Sequence, residues 1–284
     1  MKIIVESGAT KSDWRVFDSE GNQVKRLFLP GMNVSSMKTE AVCGILSEGL
    51  ASIGDGSVEA FYMYTAGVVT DEVRKRLVAA VTDRTHCPKV DIQNDLVGAA
   101  RSLFGTGSGI AAIMGTGSNT CFFDGKSVSQ KVYSGGFIIG DEGSASALGK
   151  MFLTDFLKNQ IPHNVADAFR KEFDASYEGI VAGVYRSPSP AKYLGGLAPF
   201  IVLHYDNPAI KALVDRNFEN FINRSLLAYD TAVYPVGVVG GFGFACRDIF
   251  LPLCEKAGLR IATFSPEPIN GLIKLHIAAA SPRL

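Results

Sequence analysis

The sequence predicts an α/β protein built from two similar halves. Three observations point there. Strand-like runs at 2–6, 13–18, 23–29 and 58–64 interleave with helix-like segments near 38–52 and 70–82, and "VDIQ" at 90–93 runs into the helical "LVGAARSLF". Alternation of that kind belongs to sheets covered by helices. The pattern of the first residues then returns near residue 110. Finally, 284 residues exceed the usual size of one domain.

The elements follow in order. In "IIVESGATKSDW" (3–14) an apolar strand stops at Glu6, breaks into Ser7-Gly8-Ala9-Thr10 and resumes around Trp14. One reading is a β-hairpin in which Gly8 supplies a positive φ. The other is a turn whose N–H groups stay bare to receive an anion. "IAAIMGTGSNTCFFDGK" repeats the plan from residue 110: Ile113 is followed by Met114-Gly115-Thr116-Gly117-Ser118, as Val5 is followed by Glu6 to Thr10. Hairpins also recur by chance, but two halves opening on such turns suit a two-lobed protein clamping one ligand. After residue 143 the chain turns helical. Asn207 caps a helix with Pro208 in its first position, running to about Tyr229. Ile210, Leu213, Val214, Phe218, Phe221, Ile222 and Leu226 form one apolar stripe, so it reads as a packing helix. "YRSPSPAKY" (185–193) reads as a loop, "VGVVGG" (236–241) as a buried strand, and 244–256 as a helix.

Composition excludes several classes. Lys plus Arg equals Asp plus Glu at 28 each, so no net charge recruits nucleic acid or an anionic membrane. No apolar run reaches the roughly 18 residues of a membrane span. "MKIIVESG" is too short for a signal peptide and reads as a mature strand. The five cysteines, Cys43, Cys87, Cys121, Cys246 and Cys254, are scattered without a C-x-x-C pair. They read as reduced, mostly buried thiols of a cytoplasmic protein. His86, His163, His204 and His276 sit in no ligand or triad spacing and read as surface or core histidines.

Chemistry is expected at strand ends and glycine turns. Five places qualify: Glu6 to Lys11, Asn94-Asp95, Gly115 to Asn119, "GGFIIGDEGSA" (135–145), and Gly240-Gly241 with Gly243. "GATKS" is not a Walker A loop, because Thr10 precedes Lys11; nor is "GSASALGKM", where Met151 replaces the hydroxyl residue. "GGFGFACRD" lacks the last glycine of a dinucleotide fingerprint. Asn94 or Asp95 would serve equally as a helix cap worth about 1 kcal/mol. An Asp-Glu pair such as 141–142 is ordinarily a solvated first turn.

"VESGATKSDW", "NDLVGAA", "GTGSNT", "GGFIIGDEGSASALGK", "VVGGFGF" and "PINGLIKLH" occur in the order and spacing of the BadF/BadG/BcrA/BcrD-type ATPases, and the chain most resembles their N-acetylglucosamine kinase branch. The resemblance spans nearly the whole chain. It implies the actin–hexokinase fold: two ribonuclease-H-like lobes around an ATP cleft, an N-terminal lobe of 1–108 and a C-terminal lobe of 109–269. A helix at about 270–284 would pack back on the first lobe.

The same resemblance assigns roles. Gly8, Ala9, Thr10 and Lys11 would be the first phosphate loop, Gly115, Thr116 and Gly117 the second, and Gly240 and Gly241 the adenosine-side turn. Asp95 would be the general base, since phosphorylating a sugar hydroxyl needs a carboxylate to take its proton. Asn33, Ser118, Asn119, Gly136 and Asp141, with Asp95, would hold the sugar; Glu142 carries no role. Glu6 stands where most of the superfamily has a magnesium-associated Asp, so ATP and Mg²⁺ are the expected cofactors. Phe137-Ile138 stands where mammalian relatives have Trp-Gly, with two fewer residues before the Gly-Asp. The implied activity is phosphorylation of an amino sugar, N-acetylglucosamine at its 6-hydroxyl, with a homodimer compatible. Two other readings share the fold: an ATPase that activates a partner enzyme, and a sugar sensor without catalysis. The first needs interface cysteines for an iron–sulfur cluster, and no matching pair is seen. The second usually carries an added helix-turn-helix.

Overall fold

The computed structural model describes residues 1–8, 11–34, 37–54, 56–67 and 70–277. The chain divides into two compact units: Met1–Gly107 with Gly125–Ser127 and the segment from Pro268 onward, and Ser108–Asp124 with Val128–Glu267.

The first unit is a five-stranded sheet with helices. β1 (Lys2–Ser7), β2 (Lys11–Phe17) and β3 (Gln23–Pro30) form an antiparallel meander. α1 (Thr39–Ile53) leads to β4 (Ala60–Thr65), α2 (Asp71–Thr85) to β5 (Val90–Asn94), and β5 passes directly into α3 (Asp95–Phe104). β1, β4 and β5 run parallel, giving the order β3-β2-β1-β4-β5. β4 is buried through its length and β1 through its apolar middle, Ile3 to Val5, because both faces are covered there. The edge strand β3 is mostly exposed and carries Lys25 and Arg26, charges that discourage further pairing. One face packs Trp14, Phe61 and Met63 against Val42, Leu46 and Leu77. Gly49 lets α1 approach the indole, since a Cβ there would lie 2.6 Å from the Trp14 ring.

The second unit repeats the topology. β6 (Gly109–Met114), β7 (Ser118–Phe123) and β8 (Val128–Val132) form a meander. Helices α4 (Gly136–Ile139), α5 (Ala145–Leu157), α6 (His163–Glu172), α7 (Tyr177–Val181), α8 (Pro190–Gly196), α9 (Ala198–Leu203) and α10 (Pro208–Arg224) follow. β9 (Val236–Val239) then pairs parallel to β6. After α11 (Gly241–Ala245) and α12 (Arg247–Lys256), β10 (Ile261–Ser265) adds to β9. The order β8-β7-β6-β9-β10 is that of the first sheet. α13 (Pro268–Ile277) belongs to the first unit, where it packs on α3 and β1.

The α/β class and the doubled plan are as the sequence predicts. Three details differ. β8 and β10 are short and half exposed, so neither carries a strong apolar pattern. Residues 185–193 are not all loop: a π turn at Ala182–Arg186 ends there, and α8 starts at Pro190, which suits a first helical turn. α10 stops at Arg224 rather than near Tyr229, and a 3-10 turn at Leu226–Ala228 carries the stripe's last leucine. Among the described residues no helix is long and apolar enough to cross a membrane.

Candidate active site

In the first unit, the expected residues gather at the carboxyl ends of the parallel strands. Ser7, Thr65 and Asn94 pair side by side across β1, β4 and β5, so Glu6 and Asp95 both stand at that edge. The Ser7 hydroxyl accepts the Met32 N–H at 2.8 Å, Thr65 donates to the Met32 carbonyl, and the Val34 N–H reaches the Ala66 carbonyl at 3.0 Å. These bonds staple the segment before α1 to the same edge and carry Asn33 with it.

Asn94 is the cap of α3, its Oδ1 accepting the Val97 N–H at 2.8 Å. Asp95 is the first helical residue, half-buried, with Oδ1 accepting the Leu96 N–H at 3.0 Å. Its carboxylate therefore sits at the positive end of the helix dipole. α3 lies tight on β4, because a Cβ on Gly98 would fall 2.8 Å from that of Tyr64.

The first turn needs a correction. Gly8 does not take a positive φ, and its N–H is not bare: it donates to the Lys11 carbonyl at 3.1 Å and closes the hairpin. Ala9 and Thr10 lie outside the described residues. Lys11 opens β2, its ammonium 5.8 Å from the Phe28 ring centre.

Asp13 is a residue the sequence reading passed over. It pairs directly with Glu6 across the hairpin and is buried. Arg15 grips both its oxygens at 2.7 and 3.0 Å, and Arg26 adds a bond at 2.8 Å. Burial works to raise the Asp13 pKa, but the two guanidinium groups outweigh it and hold the carboxyl below its ordinary range. An acid with an arginine two residues on, hence on the same strand face, was the available signal.

The second unit gathers its glycine turns at the equivalent edge. The Gly115 N–H bonds the Gly117 carbonyl at 2.9 Å, closing the turn between β6 and β7. The Gly115 and Thr116 carbonyls accept the Ala145 and Ser146 N–H groups at 3.0 and 3.1 Å, so the turn is joined to the start of α5. Gly240 leaves β9 at φ +129, and a Cβ there would lie 2.4 Å from the Met114 carbonyl oxygen, so only glycine fits. Gly241, at the start of α11, has open space around it.

Asp141 lies against these turns. It is 8% exposed and holds a left-handed φ of 55. Its N–H donates to the Ser134 carbonyl at 3.0 Å, and its carboxylate accepts from the Ser118 N–H and the Ser134 hydroxyl. Burial pushes its pKa above the ordinary carboxylate value despite those bonds. The Ser118 hydroxyl donates to the Glu142 carbonyl at 2.7 Å. Asn119, next along β7, projects from the other face of the strand, with Oδ1 on the Thr120 N–H at 3.1 Å. The structure thus joins Ser118 with Asp141 and does not join Asn119 to them. Gly136 opens α4 after Gly135, both left-handed at φ 72 and 74. The Lys150 ammonium ties α4 to α5 through the Phe137 and Ile138 carbonyls at 2.9 and 3.2 Å.

No protein-family model matches this chain, and no curated protein sequence matches it. Solved structures do. A "putative N-acetylglucosamine kinase" of Porphyromonas gingivalis is 35% identical over 99% of this chain and 100% of its own, with a TM-score of 0.92. The chain belongs to the N-acetylglucosamine kinase-like family of the actin–hexokinase superfamily. Members of this family are phosphotransferases with an alcohol acceptor, and this chain is one. Two more distant structures share the fold. A "putative N-acetylglucosamine kinase" of Chromobacterium violaceum has a TM-score of 0.78 at 18% identity, covering 96% of this chain and 98% of its own. A ROK family glucokinase of Streptomyces griseus, in complex with glucose and AMPPNP, has 0.60 at 19% identity, covering 96% and 97%.

Proposed function

We propose that this phosphotransferase is an ATP-dependent sugar kinase whose acceptor is an amino sugar, N-acetylglucosamine first, phosphorylated at the 6-hydroxyl. The observation that carries the reading is the position of Asp95. Capping of α3 is done by Asn94, so the cap does not account for the carboxylate beside it at the strand edge. The kinase named for the Porphyromonas gingivalis relative supports the amino-sugar acceptor.

In this reading Asp95 takes the proton of the primary hydroxyl as its oxygen bonds to the γ-phosphorus and the bond to ADP breaks. Asp141, Ser118 and Asn33 hold the other sugar groups, with Gly136 lining the acceptor; Asn119, on the other face of β7, is left out of this set. Gly8, Lys11, and Gly115 to Gly117 serve the phosphates; Gly240 and Gly241 serve the adenosine. Magnesium fits the donor set as a nucleotide-borne ion. Glu6 supplies one carboxylate, Asp13 opposite is already taken by two arginines, and no cage of three ligands occurs among the described residues. A Mg²⁺ ion usually takes one or two carboxylates with phosphate oxygens and waters, and it neutralises phosphate charge.

The partner-activating reading is disfavoured by the thiols. Cys121 is buried in β7, and burial pushes the Cys246 thiol up to about 11, so Cys246 is not poised as a thiolate ligand. The deciding experiment is ADP release with N-acetylglucosamine, glucosamine, N-acetylmannosamine, glucose and a muramic derivative. Turnover is expected with an N-acyl amino sugar. Background rates throughout discard the kinase, and tight sugar binding without ADP release turns the reading to a sensor.

A further inference from the structure

The loop that carries Asp141 is shaped by a helix more than seventy residues downstream. Asn217 lies mid-way along α10 within the apolar stripe, 1% exposed. Its neighbours Leu213, Val214, Phe218 and Phe221 already supply the packing, so packing alone does not call for a polar residue there. Its amide is instead spent on the loop. Oδ1 accepts the Gly143 N–H at 3.0 Å, and Nδ2 donates to the Ser144 carbonyl at 3.2 Å.

The approach is as close as backbone allows. Gly143 is left-handed at φ +76, and a Cβ on it would fall 2.5 Å from that of Phe221. Within the same loop Glu142 is held from the end of α10 by Arg224 at 2.9 Å. Asp141 thus keeps a conformation that residues without a special partner avoid. A buried amide whose donor and acceptor both meet backbone specifies one arrangement and penalises others.

We infer that Asn217 is a positioning residue for acceptor binding: through Gly143 and Ser144 it fixes the loop so that the Asp141 carboxylate stays beside Gly117 and Ser118. The inference rests on the reading of Asp141 as a sugar ligand. It places a determinant of acceptor affinity on α10, more than seventy residues beyond the loop it holds.

The test uses the full chain and two variants. Asn217→Leu suits the apolar stripe but removes both bonds; Asn217→Asp keeps the shape and the acceptor for Gly143 but, ionised, loses the donor to Ser144. KM for the sugar and KM for ATP are measured separately, beside the denaturation midpoint. A rise of tenfold or more in sugar KM, with ATP KM within twofold, is expected of Asn217→Leu, and a smaller rise of the same kind of Asn217→Asp. If Asn217→Leu does not fold, Asn217→Asp decides alone. Sugar KM within twofold of wild type, or sugar and ATP KM rising together, overturns the inference while leaving the kinase intact. A wild-type protein that phosphorylates no sugar instead removes the kinase reading itself.

Discussion

The Asp141 carboxylate rests on Gly117: a Cβ built on that glycine would stand 2.8 Å from Oδ2. Gly117 is not left-handed, so alanine would fit its backbone and collide only with the acid. Gly117→Ala therefore displaces the carboxylate without straining the turn. The expected outcome is a sugar KM raised about tenfold, equivalent to about 1.4 kcal/mol. The denaturant midpoint should stay near wild type. A variant with unchanged sugar KM would separate Asp141 from acceptor binding.

Asp141 itself costs the folded chain stability at neutral pH. Burial raises its folded pKa above the ordinary 3.8, so the folded state holds the proton more tightly than the unfolded chain. The sign follows: stability falls as pH rises from 3.8 through the folded value, and at neutral pH the ionised group costs free energy. Asparagine tolerates the left-handed φ as well as aspartate does. Asp141→Asn is expected to unfold at an equal or higher denaturant concentration at pH 7 while losing most acceptor affinity. In the wild type, sugar affinity should decline on acidification at a higher pH than an ordinary carboxylate would give, read from KM against pH.

On the proposed reading, folding and chemistry fall on adjacent residues, Asn94 and Asp95. Asn94→Ala removes the bond to the Val97 N–H and should cost about 1 kcal/mol of stability, with turnover largely kept. Asp95→Asn leaves that cap in place and should lower kcat by about 10²–10⁴-fold, the usual share of a general base. Steady-state kinetics and urea midpoints on both variants check the pair. Near-normal turnover by folded Asp95→Asn would end its assignment as base.

The turns and strand ends themselves were legible because they announce themselves locally. "GTGSN" and "NDL" each join an apolar run to polar residues with no helical or strand period of their own. The doubled topology was legible for the same reason, through Val5 and Ile113. What was hidden depends on distant partners. Asn217 falls within an apolar stripe and declares itself only once α10 meets Gly143. Asp13 carried only the local hint of Arg15 two residues on, and its second arginine, Arg26, arrives from the next strand. Gly8 was misread because a glycine permits positive φ without requiring it, and the hairpin here closes through the Lys11 carbonyl.

The two glycines after β9 give opposite expectations. Gly240 is held by its φ of +129 and by the Met114 carbonyl, so Gly240→Ala should destabilise the second unit by several kcal/mol. Gly241 faces open space, so Gly241→Ala should fold as wild type. If that space takes the base or ribose, ATP KM rises several-fold while sugar KM does not. Fluorescent-nucleotide titration with a denaturation curve checks both, and an unchanged ATP KM would move the adenosine site away from this turn.

Acid sensitivity should originate in the first unit at His276. Its Nε2 lies 2.7 Å from the Tyr64 hydroxyl, which accepts from Arg101 at 3.0 Å and so turns its own hydrogen toward the imidazole. Arg101 in turn holds Asp91 at 2.9 Å, and the His276 ring stacks on Tyr62 with centroids 3.7 Å apart. Burial first, then the charges of Arg101, Lys89 and Lys2, against the opposing pull of Asp91, bring the His276 pKa from 6.5 down to about 4. The folded state therefore binds fewer protons than the unfolded chain between pH 4 and 6.5. Stability is full above 6.5 and is lost as pH falls toward 4, by up to about 3 kcal/mol before solvent screening. His276→Phe keeps a ring on Tyr62 and removes the titration. Its urea midpoint should lie below wild type at pH 7, and the gap should narrow steadily by pH 4.5. A gap that stays constant across that range would show that the imidazole does not carry the acid response.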